Sequence, residues 1–439
     1  MTGDATRTLI GATMMAEFRS GARLAVAACI TLSGAIACRG EKRADYSGPY
    51  GKQVAETVPR IEAAVGLKFK TPPRVEARSK DQVREFIMRQ FRDPKSLREF
   101  TGIEAAYKRL GMVPDSLDLK KFLVDLLAEQ IVGYYDPKTK VLYVVSGSPP
   151  EAASITITHE LVHALQDQYI SLDSTQKIEG QNDRTSAAQA VFEGQAVYEQ
   201  IAAMLGGNNV AVNLPGGWDR VREMIRENQS SMPVFAAAPL VIQETLIFPY
   251  LSGAEFVRNF KERNPGKTIY EDMPLSTEQI LHPTAYFGKR DNPTSLTLPQ
   301  LKSGTPTYQN TLGEFETRLF LFQHLKDQNE AVRGASGWDA DRYELFNAAG
   351  GEGIVWVTVW DSDLDASEFF DMLNQAVEKR YVVTRSGPPG AVSRSYNAAG
   401  RSVQITTAEV SGRPVVVYVD VPAGASTDVI DLSKVRLQE

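Results

Sequence analysis

The sequence contains very few cysteines and histidines. It has two cysteines and four histidines in 439 residues. Both cysteines, Cys29 and Cys38, lie near the N-terminus. The rest of the chain therefore has no disulfide, and it must be stabilised by burial of apolar side chains or by a bound metal.

The sequence also lacks an excess of positive charge and any long apolar run. Its 48 Lys and Arg against 54 Asp and Glu give a net charge of -6, which argues against nucleic acid as a partner because phosphate binding needs a basic surface. No apolar run reaches the roughly 18 residues of a membrane-spanning helix. With 43% hydrophobic and 23% charged residues, the composition is typical of a globular protein with two or three domains.

The N-terminal segment has the pattern of a secretory signal. Arg19 and Arg23 precede the uncharged stretch Leu24–Ala37, which ends in Ala-Ile-Ala, a small-x-small cleavage site. Cys38 follows directly, as in a bacterial lipobox, although a lipobox usually has leucine three residues before the cysteine. We expect an exported protein of the bacterial cell envelope, attached to the membrane through a lipid on Cys38. Ordinary secretion and a retained signal anchor are the alternatives.

A β-hairpin and a helix are predicted in the middle of the chain. Gln130–Tyr135 and Val141–Val145 are rich in Val and Tyr, and the Asp-Pro-Lys-Thr sequence between them is typical of a turn. Ser148 as N-cap, Pro149 at the first helical position and Glu151 as capping-box partner then predict a helix that runs to about Tyr169.

Other segments carry local signals of the same kind. Capping boxes begin at Ser79, Ser276 and Thr311. The predicted helices and strands outside the central segment are Arg74–Arg78 (strand), Leu117–Leu127, 186–205, 216–228, 236–247 and 252–262 (helices), and Gly353–Trp360, Asp365–Arg380, Arg401–Val410 and Arg413–Val421 (strand, helix, strand, strand).

Half of the histidines lie in the segment His159-Glu160-Leu161-Val162-His163. On a helix, positions i and i+4 share a face, so His159 and His163 can bind one ion. Glu160 points aside from the ion, where it can hold and deprotonate a water molecule. The motif predicts one zinc ion per chain.

A catalytic zinc site usually has three protein ligands and one open position. The metzincin pattern would require glycine and histidine where this chain has Gln166 and Tyr169. The other common solution is a glutamate on the next helix. The predicted helix 186–205 contains Glu193 and Glu199, which are turned about 240° from each other, so only one can face the histidines.

The small residues near Glu193 favour it over Glu199. Gly194 follows directly, with Ala190 and Ala196 close by, and small residues would let two helices approach closely enough for short ligand bonds. Glu199 has bulkier neighbours and is predicted to face solvent. The remaining acidic alternatives are Glu179, Asp183 and Asp173.

These motifs resemble those of a known enzyme family. The segments HELVHALQDQ (His159–Gln168) and FEGQA (Phe192–Ala196) resemble the gluzincin branch of the zincin metallopeptidases. With GYYDP (Gly133–Pro137) and STEQILHP (Ser276–Pro283), the pattern over about 130–290 is similar to that of poorly characterised bacterial secreted or lipoprotein HExxH metallopeptidases. The 29 residues between His163 and Glu193 exceed the gap of the best-known gluzincins.

The resemblance implies a zinc ion held by His159, His163 and Glu193, with Glu160 as general base. It also implies a peptide or protein substrate. In zincins a strand before the active-site helix borders the cleft, and an extended substrate pairs with it, which here would be Val141–Val145.

A second donor often stabilises the oxyanion of peptide hydrolysis. The possible donors are His282, Tyr135, Tyr134 and Tyr286. His282 is alternatively a helix C-terminal cap, and only one of the two adjacent tyrosines can face the cleft. Asp167 is either a residue that orients a zinc ligand or an exposed carboxylate, and His324 is predicted to be a packed core histidine.

The fold class expected from these patterns is α+β. We predict a signal peptide, a tether beginning at the mature N-terminus Cys38, a mainly helical zincin-like catalytic domain with a small N-terminal β-sheet, and a C-terminal α+β module, with bounds 1–37, 38–58, 59–300 and 301–439.

The predicted function is zinc-dependent hydrolysis of peptide bonds by a water that Glu160 activates. The alternative is a catalytically inactive zincin-like scaffold that binds peptides or proteins at the cell envelope. The intact Glu160 favours the enzyme, because a binding relic does not need the base. A purely structural zinc would require a fourth protein ligand, and no cysteine beyond Cys38 can supply one.

Overall fold

The computed structural model describes residues 46–438 except 47, 91, 176–177, 205–222, 224–226, 228–231 and 384–389. The predicted signal peptide and Cys38 lie outside the described residues, and so does the predicted helix 216–228 apart from two positions. The predicted α+β class is confirmed, because long helices and three β-sheets alternate along the chain.

The helices of four or more residues are α1 Gly51–Val65, α2 Lys80–Gln90, α3 Pro94–Leu110, α4 Leu119–Gln130, α5 Pro150–Gln166, α6 Leu172–Thr175, α7 Asn182–Met204, α8 Pro233–Ala236, α9 Leu240–Arg263, α10 Thr277–Leu281, α11 Pro283–Phe287, α12 Gly313–Leu325, α13 Gln328–Ala335 and α14 Asp363–Tyr381. The strands are β1 Arg74–Arg78, β2 Gly133–Asp136, β3 Val141–Val145, β4 Ser295–Thr297, β5 Thr305–Asn310, β6 Trp338–Ala348, β7 Gly351–Trp360, β8 Ser393–Ala398, β9 Arg401–Val410, β10 Arg413–Pro422 and β11 Arg436–Gln438.

The chain divides into two compact units that alternate along the sequence. Unit 1 contains the described residues up to Val83, Ala128–Ser171 and the end of α7 from Glu199. Unit 2 contains Arg84–Leu127, Leu172–Tyr198 and the chain from Pro233 onwards.

Unit 1 contains a three-stranded sheet in the order β1-β3-β2. β3 pairs in parallel with β1 and antiparallel with β2, and all five of its residues are buried. The predicted hairpin is confirmed, and Asp136 closes its turn by accepting bonds from the Lys138 amide and the Thr139 hydroxyl. The prediction that an extended substrate pairs with Val141–Val145 is wrong, because both edges of this strand are already paired.

Helix α1 begins inside the predicted tether 38–58. Val54, Val58 and Ile61 are buried along one face, and α1 packs against α5. A segment that buries an apolar stripe in this way belongs to the folded unit, so the tether prediction is wrong from Gly51 onwards.

Unit 2 contains a six-stranded antiparallel sheet in the order β5-β6-β7-β10-β9-β8. Along β7, Val355 and Val357 lie in the apolar cluster on one face of the sheet. Trp356 contacts Phe320 of α12 and Phe369 of α14 on the other. Both faces of the strand are covered, so its residues are apolar throughout. This continuous apolar run allowed the strand to be predicted from the sequence.

One predicted capping box is confirmed in full and one in part. The amide of Ser79 donates to Gln82 Oε1 at 2.8 Å, and the Gln82 amide donates back to Ser79 Oγ at 3.2 Å. Ser276 caps α10 by accepting a bond from the Gln279 amide at 3.2 Å, but the Gln279 side chain accepts the Leu275 amide at 2.8 Å in place of the Ser276 amide.

The predicted Ser148–Glu151 capping box is wrong. Helix α5 begins at Pro150, its N-cap is Pro149, and no side chain caps it. The amide of Ser148 instead bonds the Val145 carbonyl at 3.3 Å in the turn after β3. A proline in the first helical position has no N–H to satisfy, so the helix forms without the box.

The predicted capping box at Thr311 is also wrong. Helix α12 begins at Gly313, and the Asp341 carboxylate of β6 accepts the amides of Leu312 and Gly313 at 2.9 and 2.8 Å. This cap comes from a distant part of the chain, so a local pattern could not reveal it.

Helix α9 was predicted as two helices, 236–247 and 252–262, but it is continuous from Leu240 to Arg263 and includes Pro249. Gly253 of α9 lies against α7, where an added Cβ would come within 2.0 Å of the Ala190 carbonyl oxygen. An added Cβ on Gly194 would come within 2.1 Å of the Gly253 carbonyl carbon. Within the described part of the chain, no helix has the length and apolarity needed to cross a bilayer.

Candidate metal centre

Helix α5 places His159 and His163 one turn apart on the same face, as predicted. Their Nε2 atoms are 3.2 Å apart, and the rings are nearly perpendicular. His163 is buried. Two nitrogens bound to one tetrahedral zinc at its usual bond length lie roughly 3.3 Å apart, so this separation fits a shared ion.

The other nitrogen of each ring is hydrogen-bonded to a glutamine. His159 Nδ1 lies 3.1 Å from Gln200 Oε1, and His163 Nδ1 lies 2.8 Å from Gln166 Oε1. An amide oxygen accepts only, so each bond places the proton on Nδ1 and leaves the Nε2 lone pair for a metal. Both glutamines are buried.

Sequence analysis missed both glutamines. Gln166 was considered only as a departure from the metzincin pattern, although it follows His163 by three residues. Gln200 lies seven residues after Glu193, which is two helical turns, so the two share a face of α7. That spacing was visible in the sequence, and the contact with His159 was not.

Two groups of described residues could hold a metal ion. One consists of His159, His163 and Glu193, whose ligand atoms lie within 4.8 Å of one another. The two rings and this carboxylate are half-buried or buried, and the nitrogen and oxygen ligands suit zinc. Of the alternative third ligands, Glu179 forms an ion pair with Lys95, and Asp183 bonds Thr277.

The structure contradicts two of the expectations that favoured Glu193. Gly194 and Ala190 serve the close approach of α7 to α9 described above, and not to the histidine helix. Glu199, predicted to face solvent, is completely buried.

Glu160 is oriented by the backbone of β2. Its Oε2 accepts the amide of Tyr135 at 2.8 Å. In the register of the hairpin, Tyr134 pairs with Tyr143, and two residues before Tyr134 the Val132 carbonyl accepts a bond from the Val145 amide of β3. Bonding groups alternate along an antiparallel strand, so the amide of Tyr135 points away from β3 and is available to Glu160.

The side chain of Tyr135, predicted as an oxyanion donor, bonds Asp167. Its hydroxyl donates to Asp167 Oδ2 at 2.7 Å, and Lys140 Nζ lies 2.6 Å from the same oxygen. Burial raises the pKa of Tyr135 well above its usual value, and the neighbouring carboxylate adds to this. Asp167 is a buried acceptor that fixes the hairpin to α5, so the expectation of an exposed carboxylate is wrong.

The other possible donors have partners of their own. His282 Nε2 lies 2.9 Å from Glu314 Oε1 and 2.8 Å from Arg318, and its backbone amide caps α10. The hydroxyl of Tyr134 contacts Arg78. The predicted cap at His282 is confirmed, whereas its catalytic role stays a prediction.

Two further predictions concern residues of unit 2. Tyr286 donates its hydroxyl hydrogen bond to the Asp272 carbonyl. His324 is a packed histidine, as predicted: it contacts the Leu110 carbonyl at 2.9 Å, and burial lowers its pKa to about 4.

Comparison with known proteins gives one match. Residues 301–431 match the family model described as Domain of unknown function (DUF8575). This segment is less than a third of the chain and contains none of the HExxH residues. No curated protein and no solved structure matches the chain.

Proposed function

We propose that the protein is a zinc metallopeptidase that hydrolyses peptide bonds. The observation that carries this proposal is the pair of imidazole Nε2 atoms 3.2 Å apart, each ring with its Nδ1 on a buried glutamine. A structural histidine pair has no need for two lone pairs directed at one point. The fit supports zinc with His159, His163 and Glu193 as ligands.

Zinc, when bound in such a site, supplies Lewis-acid polarisation of a carbonyl and makes a water more acidic. Glu160 would take the proton from the attacking water and pass it to the leaving amine. The Tyr135 amide occupies Glu160 Oε2. The carboxylate is therefore held in one orientation beside the metal ligands.

We also propose that substrate pairs with β2 and not with β3. β2 is an edge strand of its sheet, and the backbone of Gly133 and Tyr135 points away from β3 in the observed register. The amide of Tyr135 already orients Glu160. An extended peptide on this edge would therefore lie beside the general base.

The proposal is tested by separating zinc binding from proton transfer. Glu160→Gln keeps an oxygen that can accept the Tyr135 amide but removes the base. We expect zinc content near one per chain and peptide cleavage lower by about two to four orders of magnitude. His163→Ala should lose most of the zinc and the activity together. Both are measured as metal content and cleavage of a mixed peptide library.

Glu151→Gln is the matched control, because Glu151 is an exposed carboxylate in the first turn of the same helix. It should retain both zinc and cleavage. Full zinc retention by His163→Ala would overturn the metal assignment. A wild-type protein that binds zinc and peptides but cleaves none of the library would favour the non-catalytic scaffold.

Export and lipidation at Cys38 are part of the same proposal. They rest on the lipobox-like sequence alone. Cys38→Ser should move the protein from the membrane fraction to the soluble fraction, and unchanged fractionation would exclude lipidation as the anchor.

A further inference from the structure

A second group of carboxylates lies in unit 2, with no role in the proposed reaction. Glu278, Asp291 and Asp361 each offer an oxygen, and these oxygens lie within 4.8 Å of one another. Glu278 belongs to the STEQILHP segment of α10, Asp291 follows α11, and Asp361 directly follows β7.

Glu278 is unusual within this group. It is only 6% exposed, yet no hydrogen bond or ion pair from the described residues reaches its carboxylate. Burial, reinforced by Glu314 and Asp291, raises the pKa of Glu278 to about 10. A buried carboxylate without a partner is costly, so its position facing two other carboxylates needs an explanation.

The backbone holds Asp291 in place from both sides. Its amide bonds the Ala285 carbonyl at 2.8 Å, and its carbonyl accepts a bond from the Gln279 side chain. Asp361 is more exposed, and its amide bonds the Gly337 carbonyl at 2.9 Å. The group is therefore built on fixed backbone and is open to solvent on the Asp361 side.

The charge balance favours a divalent cation. Arg413 lies 3.5 Å from Asp361 and 2.8 Å from the nearby Asp339. One arginine does not balance Asp291, Asp339 and Asp361, and Glu278, which is protonated at neutral pH without a cation, would add a fourth negative charge when it ionises to bind one. Burial raises the pKa of Asp361 to about 6, and repulsion from the carboxylates of Asp291 and Asp339 adds to this effect.

We propose that Glu278, Asp291 and Asp361 form a calcium site that joins the α10–α11 segment to the end of β7. Calcium takes oxygen ligands at about 2.3–2.6 Å, so oxygens bound to one ion lie at most roughly 4.6–5.2 Å apart, and three oxygens within 4.8 Å of one another are compatible with that limit. A ligand set made only of oxygens suits hard cations such as calcium better than zinc. Waters would complete the coordination on the open side.

Calcium binding to the full chain should be measured by calorimetry and by luminescence of terbium in place of calcium. Trp360, next to Asp361, is a suitable sensitiser. We expect one calcium per chain at this site and a higher thermal unfolding midpoint when calcium is present. Asp291→Asn and Glu278→Gln should each weaken binding at least tenfold and remove the shift.

Glu278→Gln also distinguishes loss of the calcium site from loss of the folded state. Without calcium this variant should unfold at the same or a higher temperature than wild type, because it replaces a carboxylate that is costly to ionise. Asp428→Asn, an exposed carboxylate of the same unit, is the matched control and should bind calcium like wild type.

Three results would overturn the proposal. They are the absence of calcium binding to wild type, wild-type binding by Glu278→Gln and Asp291→Asn, and loss of calcium binding in His163→Ala. The last would place the ion at the histidines. Because zinc content and peptide cleavage do not enter these measurements, the calcium site and the proposed peptidase activity can fail independently.

Discussion

Gln166 is the residue whose contribution to the metal centre is simplest to isolate. It is fully buried, and its amide oxygen lies 2.8 Å from His163 Nδ1. Removing the acceptor would free the ring to rotate and would leave a buried N–H unpaired. Groups that orient a metal-binding histidine in this way usually account for a factor of about 10–100 in metal affinity.

We therefore predict that Gln166→Leu lowers zinc affinity by about 10–100-fold, as measured by competition with a chelator. Gln166→Glu, which retains an acceptor, should bind zinc more tightly than Gln166→Leu. Circular dichroism of both variants controls for folding. Equal zinc affinity in wild type and Gln166→Leu would show that this hydrogen bond does not orient the ligand.

At the scale of residues, the sequence predicted the histidine pair because it depends only on helix periodicity. It did not predict the partners of those residues. Gln200, the amide of Tyr135 and the burial of Glu199 all depend on which elements pack together. Glu193 was chosen on an argument about small neighbours that applies to a different helix.

At the scale of elements, the crossing of α7 and α9 depends on Gly194 and Gly253. Glycine inside a helix is ordinarily less stable than alanine by up to about 1 kcal/mol, so Gly→Ala normally stabilises. Here an added Cβ on Gly194 would lie 2.1 Å from the backbone of Gly253, and backbone cannot move aside as a flexible side chain can.

We predict that Gly194→Ala lowers the free energy of unfolding by about 1–3 kcal/mol, the usual cost of overpacking. Chemical denaturation with urea measures the change. The sign of the change in the free energy of unfolding decides the question. A variant as stable as wild type would mean that the two helices can move apart without loss of stability.

Element boundaries were predicted well where the signal was local. The structure agrees with the predicted Ser79 box, the N-cap at Ser276 and the strands Arg74–Arg78 and Arg401–Val410. The start of α12 was misplaced because Asp341 caps it from β6. Helix α3 was not predicted, although Asp93 accepts the Ser96 amide at its start and Pro94 is its first residue.

At the scale of the whole molecule, buried acids make stability depend on pH. Burial raises the pKa of Asp183 to about 7 and that of Glu316 to about 8. Such groups hold their protons more tightly in the folded state. Their contribution is complete below the unfolded pKa of about 4 and is lost as the pH rises through the folded values.

His324 has the opposite effect at lower pH. Its pKa is lowered to about 4, so stability is lost as the pH falls below about 6.5. We predict that the free energy of unfolding decreases between pH 6.5 and about 8, where the acids act alone. Urea denaturation at these values measures it. Asp183→Asn and Glu316→Gln should reduce the slope, and a rise in stability over this interval would contradict the assignment.

The two units cannot be separated as contiguous pieces of chain. The segment 301–431 that matches the family model has buried partners outside it: Glu316 bonds Tyr107 and Asn182, and the Asn310 side chain accepts the Asn182 amide. These hydrogen bonds join residues on both sides of the predicted boundary at residue 301, and all of them lie within unit 2. Sequence alone could not show this, because interleaving leaves no change in composition.

The parallel pairing of β1 with β3 has a consequence for the kinetics of folding. Between these strands the chain passes through α2, α3 and α4, most of which belongs to unit 2. Pairing these strands closes a long loop. The chain loses conformational entropy in closing it before the strand hydrogen bonds contribute to stability. In refolding, the hairpin β2–β3 should therefore form early. The docking of β1 should follow as a separate, slow phase. Until β1 docks, one edge of β3 is exposed, and this is the stage at which the chain is most prone to aggregate.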